Sequence, residues 1–305
     1  MEQLTTQIMY RAFGLNIISD IYFPELTQVT EKYGDIDIII RFDYSSKLRE
    51  VFKESSLFCI VKDKKVFIRV PNIAYFSIES GSKIICTPIG SIKENQIRLY
   101  LLGTCMGALL LQRKIIPLHG SVVEINKKAY GVVGESGAGK STLAATLLNQ
   151  GYRLLTDDII PVTLESGIPM VLPSYPQQKL WKESLDALKV SSDQYQPIFD
   201  RENKFLIPLH SKFYDEQIPL AGIFELVTGA EEVTLRPLNK LEQIKKLFEH
   251  TFRSFLVERL DLLEWHFNIT TTLANSTMMY QLTRPESRFT TKELSDLILE
   301  VAQKE

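Results

Sequence analysis

The sequence contains little that would mark a specialised class of protein. Cysteine is scarce: Cys59, Cys86 and Cys105 are the three in 305 residues, and no CxxC or Cys/His spacing accompanies them. A disulfide framework and a zinc site are therefore not expected, and the thiols are predicted to be buried in a reducing compartment. Long hydrophobic runs are also missing. The longest uncharged stretch, Leu99–Gln112, has about 14 residues and falls short of the ~20 that span a bilayer, so it is predicted to be a buried helix.

Charge of either sign is nearly balanced. The formal net charge is −2, with 45% hydrophobic and 24% charged residues, as in ordinary soluble globular proteins. Because no basic surplus is available to neutralise a phosphate backbone, nucleic acid is not an expected partner. Residues 1–18 lack the cationic start and apolar core of a signal peptide, so a soluble, cytoplasmic protein without a membrane partner is predicted.

Two domains are predicted from the change of pattern along the chain. Residues 1–95 contain short runs rich in β-branched and aromatic residues, which favour a small, mostly antiparallel sheet in a β-rich (α+β) domain without a chemical motif. Those runs are Ile36–Ile40, Leu57–Val61, Lys65–Val70 and Lys83–Cys86. Residues 96–305 open with a helix over Gln96–Lys114 and continue as an α/β domain.

Several elements of the second domain can be bounded from their patterns. Those nearest its glycine-rich segment are a hairpin of Ser121–Ile125 and Ala129–Val133, a helix over Lys140–Asn149 and a strand over Tyr152–Thr156. The polar stretch Ser191–Lys204 is predicted to be a mobile loop. A long helix is expected from Asn239 to Trp265 and a last helix from Thr290, each opened by a capping box with Glu242 or Glu293.

The most specific motif is a phosphate-binding loop, since Gly134 to Ser141 match GxxxxGK[ST] without error. The glycines let the backbone N–H groups point at phosphates, Lys140 places a cation on the β- and γ-phosphates, and Ser141 offers a hydroxyl to Mg²⁺. The loop therefore predicts a nucleoside triphosphate and Mg²⁺ as ligands. The predicted nucleotide-binding residues are Gly134, Glu135, Ser136, Gly137, Ala138, Gly139, Lys140, Ser141 and Thr142.

An acidic pair, Asp157 and Asp158, ends the next apolar strand along the chain. In a parallel βαβ unit the ends of successive strands are neighbours, so both carboxylates are expected beside the phosphates. One could hold the metal ion while the other takes the proton from an attacking hydroxyl; alternatively they cap the following turn. His119 precedes the strand that enters the loop, where it either contacts a phosphate, orients an acidic residue or is merely structural.

Together these residues resemble the catalytic domain of HPr kinase/phosphorylase. The matching segments are His119-Gly120, the phosphate loop with Lys140 and Ser141, and Gly151–Asp158. The resemblance implies an ATP-dependent serine kinase with a compact P-loop fold. It also implies His119, Lys140, Asp157 and Asp158 as catalytic residues, with Ser141 and Asp157 as metal ligands. Asp158 is the favoured base, although the roles of the two aspartates could be exchanged. The family's later glutamate signature is replaced here by Leu172–Trp181, which argues against phosphorolysis and against HPr as the acceptor.

Over the whole chain the pattern is closer to the HPr-kinase-like enzymes of lasso-peptide and other ribosomal peptide biosynthesis. The segments that carry this likeness are Phe13-Gly14-Leu15, Tyr100–Gly103, Leu118-His119 and Leu180-Trp181. It implies a kinase that phosphorylates a serine of a precursor peptide, typically the C-terminal one.

Three hypotheses follow. The first is a peptide serine kinase, whose partner is a peptide or small protein with an acceptor serine and which is compatible with a homo-oligomer. The second is a kinase directed at HPr. The third is a nucleotide-dependent regulatory or assembly ATPase that phosphorylates nothing and binds its partner through residues 1–95.

Overall fold

The protein divides into two compact units. The computed structural model describes residues 8–30, 34–198 and 201–304, with the side chains of 201 and 202 left out. One unit comprises the chain up to Ile115 together with Phe255–Leu262, and the other comprises Ile116–Ser254 and the chain from Leu263 onward. Among the described residues, none of the helices has both the length and the apolar character needed to cross a bilayer.

The first unit is built on an eight-stranded sheet in the order β3-β1-β2-β4-β8-β7-β6-β5. Its strands are β1 Ile8–Ala12, β2 Leu15–Ser19, β3 Thr27–Gln28, β4 Ile38–Phe42, β5 Cys59–Lys62, β6 Lys65–Val70, β7 Ala74–Glu79 and β8 Lys83–Pro88. Only the β2–β4 and β4–β8 pairs are parallel, so the expectation of a mostly antiparallel sheet is confirmed among the described strands.

Helical segments complete the first unit. They are α1 Lys47–Val51, α2 Glu94–Tyr100, a π-helical turn Leu101–Cys105 and α3 Met106–Gln112. The predicted buried helix is confirmed, since every residue from Leu101 to Leu111 is buried. This helix packs with the first sheet, because Gln112 Nε2 donates to the carbonyls of Lys64 (2.9 Å) and Ile78 (3.0 Å). The compact units therefore divide after Ile115, whereas the sequence pattern changes near residue 95.

The second unit carries a seven-stranded sheet, a smaller three-stranded sheet and flanking helices. The elements are β9 Ile116–Ile125, β10 Lys128–Gly134, α4 Lys140–Asn149, β11 Arg153–Glu165, β12 Ile168–Val171, β13 Gln177–Trp181, α5 Lys182–Ala187, β14 Gln196–Ile198, β15 Arg201–Pro208, β16 Ile218–Thr228, β17 Thr234–Pro237, α6 Lys240–Glu249, α8 Leu263–Ser276, β18 Met278–Arg284 and α9 Thr291–Gln303; a short 3₁₀ turn spans His210–Lys212, and α7 Phe255–Arg259 belongs to the first unit. The predicted α/β class is thus confirmed.

The large sheet of this unit closes on itself over part of its length. Its order is β10-β9-β11-β12-β16-β18-β17, and β10 also pairs with β16 in parallel, which completes a ring of five strands. Helices α4 and α9 cover one apolar cluster of the sheet, and α6 and α8 cover another. The predicted hairpin and the helix at residue 140 are confirmed, with Asn126 and Lys127 at φ 53° and 60° in the turn between β9 and β10.

A helix and a loop were predicted wrongly in this unit. The single helix expected over Asn239–Trp265 ends at Glu249, because the chain beyond it pairs with β9: Phe252 N donates to Pro117 O and His119 N donates to His250 O, both at 2.7 Å. The mobile loop expected over Ser191–Lys204 contains β14 and the start of β15, which pair antiparallel; residues 199 and 200 lie outside the described part.

The two predicted capping boxes have different outcomes. Asn239 accepts a hydrogen bond from Glu242 N (3.0 Å), and its own N–H donates to the Glu242 carboxylate (2.9 Å), so this box is formed. Thr290 makes no side-chain cap, and the carboxylate of Glu293 accepts from Arg288 instead. The second box is therefore wrong, because a neighbouring arginine competes for the glutamate.

Candidate active site

The phosphate-binding loop joins β10 to α4 and has the curled backbone that its glycines permit. Gly134, Gly137 and Gly139 have φ values of 149°, 90° and 108°, which side-chain-bearing residues rarely adopt. At Gly134 space is also decisive, since a Cβ would lie 2.5 Å from the carbonyl oxygen of Leu226 on β16. Lys140 Nζ donates to the carbonyls of Gly134 (2.9 Å) and Glu135 (2.8 Å), so the ammonium lies inside the curl.

The residues of the loop differ in what they offer to a ligand. Glu135, Ser136 and Gly137 are exposed, Ala138 is buried, and Ser141 is half-buried at the start of α4. The Thr142 side chain is buried and hydrogen-bonded to Ser184 Oγ (2.7 Å) on α5. Thr142 therefore helps to fasten α4 to α5 through its hydroxyl.

The strand order that positions Asp157 and Asp158 near the phosphate loop differs from the one predicted from the sequence. The expected parallel βαβ neighbour is wrong: β9 lies between β10 and β11 and is antiparallel to both. In register, Gly120 of β9 faces Val133 on one side and Asp158 on the other. This row of paired residues, Val133, Gly120 and Asp158, brings the carboxylates within electrostatic range of Lys140. Burial lowers the pKa of Lys140, and the charges of Asp157 and Asp158 oppose that shift.

Gly120 makes this crossing possible. A Cβ there would lie 2.2 Å from the carbonyl oxygen of Val132 and 2.9 Å from Ile160 Cδ1, so no larger residue fits without backbone movement. The same strand supplies Ser121, whose Oγ donates to Asp157 Oδ1 at 2.5 Å. The second oxygen of Asp157 accepts from Lys179 N at 2.9 Å. Asp157 is buried and is held at both oxygens.

Asp158 is held by a lysine that approaches from β13. Lys179 Nζ lies 2.6 Å from Asp158 Oδ2, and both side chains are largely buried. Burial alone would raise the pKa of Asp158, but the charge of Lys179 and its hydrogen bond to the carboxylate hold that pKa well below its usual range. Burial by itself would lower the pKa of Lys179, but the charge of Asp158 raises it. Both members of the pair are therefore ionised.

His119 faces the same aspartate. Its Nδ1 lies 2.9 Å from the Asp158 carbonyl oxygen and 3.6 Å from Asp158 Oδ1. Because a carbonyl only accepts, Nδ1 carries the proton and Nε2 of the neutral ring is an acceptor. Burial, followed by the charge of Lys140, lowers the pKa of His119, which favours that neutral form.

The structure adds residues that were not predicted in these roles. Ser121 and Gln178 had not been singled out; Gln178 Nε2 donates to Ser141 O (2.9 Å) beside Lys179. Lys179, to which the sequence assigned no role, pairs with Asp158. Nothing local in the sequence points to these contacts, since β13 follows Asp158 only after an intervening strand.

A magnesium ion fits the donors of this site in part. Gln178 of β13 donates to the carbonyl of Ser141, and the adjacent Lys179 donates from its backbone N–H to Asp157. The two predicted metal ligands, Ser141 and Asp157, are therefore both in contact with this short part of β13. A carboxylate and a hydroxyl are oxygen donors of the kind that Mg²⁺ takes. The described residues contain no group of three or more His, Cys, Asp or Glu able to hold a metal by themselves. A bound ion would therefore complete its coordination with water or phosphate oxygens.

Comparison with known proteins gives a consistent picture. No protein-family model matches the chain. An HPr kinase/phosphorylase of Nitrosomonas europaea is 23% identical over 260 residues, covering 80% of this chain and 76% of that protein. The HPr kinase/phosphorylase of Azoarcus sp. is 33% identical over 110 residues, or 34% of this chain and 30% of the relative. That of Clostridium botulinum is 39% identical over 62 residues, or 19% and 20%.

A solved structure was also matched. The HPr(Ser) kinase/phosphatase of Coxiella burnetii has 11% identity and a TM-score of 0.34, covering 62% of this chain and 94% of its own. The sequence relatives named HPr kinase/phosphorylase support a kinase-type phosphotransferase. The alignments to Azoarcus and Clostridium span less than a third of those relatives.

Proposed function

We propose that the protein is an ATP-dependent serine kinase that phosphorylates a peptide, with the C-terminal serine of a lasso-peptide precursor as the acceptor. The observation that supports the phosphoryl-transfer part of the proposal is the row from the phosphate loop across Gly120 to Asp158, where two carboxylates and a neutral histidine lie within electrostatic range of Lys140. The choice of acceptor rests on the sequence resemblance to the kinases of ribosomal peptide biosynthesis.

The proposed transfer is a single displacement. The serine oxygen bonds to the γ-phosphorus as the bond to the bridging oxygen of ADP breaks, and the hydroxyl proton passes to Asp158. Lys140 and the loop amides stabilise the charge on the moving phosphoryl group. Bound Mg²⁺, held by Ser141 and Asp157, would neutralise phosphate charge.

Ion pairing of Asp158 with Lys179 is compatible with this role. A carboxylate with a lowered pKa is a weak base. A loose phosphoryl-transfer transition state does not require a strong base, because bond formation to the serine oxygen is little advanced when the proton leaves. Its main task is to orient the hydroxyl, and a carboxylate fixed by Lys179 is suited to that.

The test is incubation with MgATP and either a lasso-type precursor peptide ending in serine or an HPr protein, read by intact mass. We expect a gain of one phosphate on the peptide, abolished by Lys140→Ala and reduced about 10²–10⁴-fold by Asp158→Asn, the usual range for losing a general base. A gain on HPr alone would assign the second hypothesis. Bound ATP with no phosphorylated acceptor would contradict the kinase assignment for these acceptors.

A further inference from the structure

An arginine at the end of β18 reaches the phosphate loop from the side opposite to the acidic pair. The parallel strands β10, β16 and β18 are neighbours in that order, and their carboxyl ends lie together: Gly134 pairs with Leu226, and Thr228 pairs with Arg284. Ligands of parallel α/β sheets bind outside the carboxyl ends of the strands. Arg284 thus stands at the edge where a nucleotide on the loop would extend.

The side chain of Arg284 spans the width of β16 to contact the loop. Its Nε donates to the carbonyl of Ala138 at 2.9 Å, and Nη1 donates to Pro285 O at 3.0 Å. A Cβ placed on Gly139 would lie 3.7 Å from Arg284 Nε and 3.8 Å from Nη2, so the guanidinium lies along the last turn of the loop. These are ordinary van der Waals distances, so it is the backbone conformation of Gly139, at φ 108°, that favours glycine there.

Within the part of the chain that the structure describes, Arg284 forms no ion pair, and Nη2 donates no hydrogen bond. A half-buried guanidinium beside a phosphate-binding loop, with donors left over, is suited to an anion, because charge-assisted bonds to phosphate use the planar fork. Arg288, four residues on, differs: it pairs with Glu232 and Glu293.

We infer that Arg284 binds the non-transferred phosphates of the nucleotide and sets its direction in the site. The backbone of a phosphate loop cradles the α- and β-phosphates, and its lysine reaches the β- and γ-phosphates. With Arg284 on the β18 side and Asp157, Asp158 and His119 on the β9–β11 side, the nucleoside end lies toward β18 and the terminal phosphate toward the acidic pair. This inference rests on the nucleotide binding of the proposed function.

The test measures binding alone and needs no acceptor. Dissociation constants of MgATP, MgADP and Mg-tripolyphosphate would be determined by calorimetry for the wild type, Arg284→Gln, Arg284→Lys and the matched control Arg288→Gln. Loss of charge-assisted hydrogen bonds is expected to weaken all three ligands about tenfold or more in Arg284→Gln, equally for ATP and ADP. Arg284→Lys is expected to recover part of that loss, and Arg288→Gln to stay within about twofold of wild type.

Salt dependence separates a phosphate contact from mere support of the loop. If Arg284 contacts phosphate, the slope of log Kd against log salt concentration is shallower in Arg284→Gln than in the wild type, because one fewer charge is involved. An unchanged slope, or equal effects of Arg284→Gln and Arg288→Gln, overturns the inference while leaving the kinase proposal standing. A wild-type protein that binds none of the three ligands overturns both. Binding intact but no phosphorylated acceptor overturns the kinase proposal alone.

Discussion

Asp158 has a backbone conformation that is uncommon for a residue with a side chain, φ 78°, in the middle of a strand. Such a conformation costs of the order of 1–3 kcal/mol and persists only where the surroundings enforce it. Here two side chains do so: His119 Nδ1 donates to the Asp158 carbonyl, and Lys179 Nζ holds its carboxylate. Residues held in this way cluster at functional sites, which adds weight to the role proposed for Asp158.

Lys179 is expected to be essential for transfer although it is not part of the phosphate motif. Lys179→Met leaves Asp158 largely buried without its cation, which should lower the free energy of unfolding by about 3 kcal/mol. It should also reduce phosphoryl transfer at least about 10²-fold, because the carboxylate is no longer fixed.

Nucleotide affinity should change little in this variant, and Lys179→Arg should retain part of the activity. Lys182→Met, an exposed lysine three residues on, is the matched control and should behave as wild type. The checks are transfer rate by intact mass and stability by urea titration. Transfer at the wild-type rate in Lys179→Met would contradict the positioning role.

At the scale of secondary-structure elements, the carboxylate of Glu225 connects β16 with α6 and β18. Glu225 on β16 is 3% exposed and accepts from His250 Nε2 (3.1 Å), Lys246 Nζ (2.9 Å) and Gln281 Nε2 (2.9 Å). It thereby ties α6 and β18 to the strand beside the phosphate loop. Because His250 O accepts from His119 N, the same junction supports the strand that carries His119.

Removing this carboxylate should be costly in a pH-dependent way. Burial would raise the pKa of Glu225, but the hydrogen bonds of His250, Lys246 and Gln281 lower it to about 2. A lowered folded-state pKa means that the stabilisation is complete above the unfolded value near 4.5 and disappears as the pH falls toward 2.

Glu225→Gln should therefore lower the free energy of unfolding by about 3–5 kcal/mol at pH 7, since it leaves Lys246 and His250 without their anion. The deficit relative to wild type should shrink below pH 4.5. Glu249→Gln, which removes the other, more exposed partner of Lys246, should cost less than about 1 kcal/mol. Urea titrations at pH 7 and pH 3.5 would measure both, and equal costs for the two variants would argue against the junction.

For the molecule as a whole, a buried histidine should set the acid limit of stability. His266 on α8 is 1% exposed, and its Nε2 is 2.8 Å from Thr251 Oγ1. Burial lowers the pKa of His266 to about 4. Between pH 6.5 and 4 the unfolded chain therefore binds a proton that the folded protein excludes, so stability falls as the pH drops through this window.

The expected loss from His266 is about 3 kcal/mol between pH 7 and pH 4. It would be measured as the change in urea midpoint with pH. His266→Gln should flatten this dependence, even if it lowers stability at pH 7, whereas His210→Gln, at an exposed histidine, should not. A wild-type slope in His266→Gln would show that other groups dominate the acid transition.

Local physics allowed much of the second unit to be predicted. The phosphate loop, the helix that begins at Lys140 and the cap at Asn239 depend on neighbouring residues, namely glycine conformations and a side chain within one helical turn. The α/β class likewise follows from periodicity. The identity of Lys140, Asp157, Asp158 and His119 as site candidates came from residue type and order, while their chemical roles stay proposals.

Only the tertiary structure decided how those residues meet. The pattern of a strand indicates which of its residues are buried, but not which strands it pairs with. Residue spacing therefore does not predict that β9 lies between β10 and β11. Nor does it predict that Asp158 pairs with Lys179, since β12 separates the two residues along the chain. The helix expected beyond Glu249 was lost to hydrogen bonds with β9, and the box at Thr290 to Arg288. In each case a contact between residues distant in sequence or a competing side chain outweighed a local preference of about 1 kcal/mol or less.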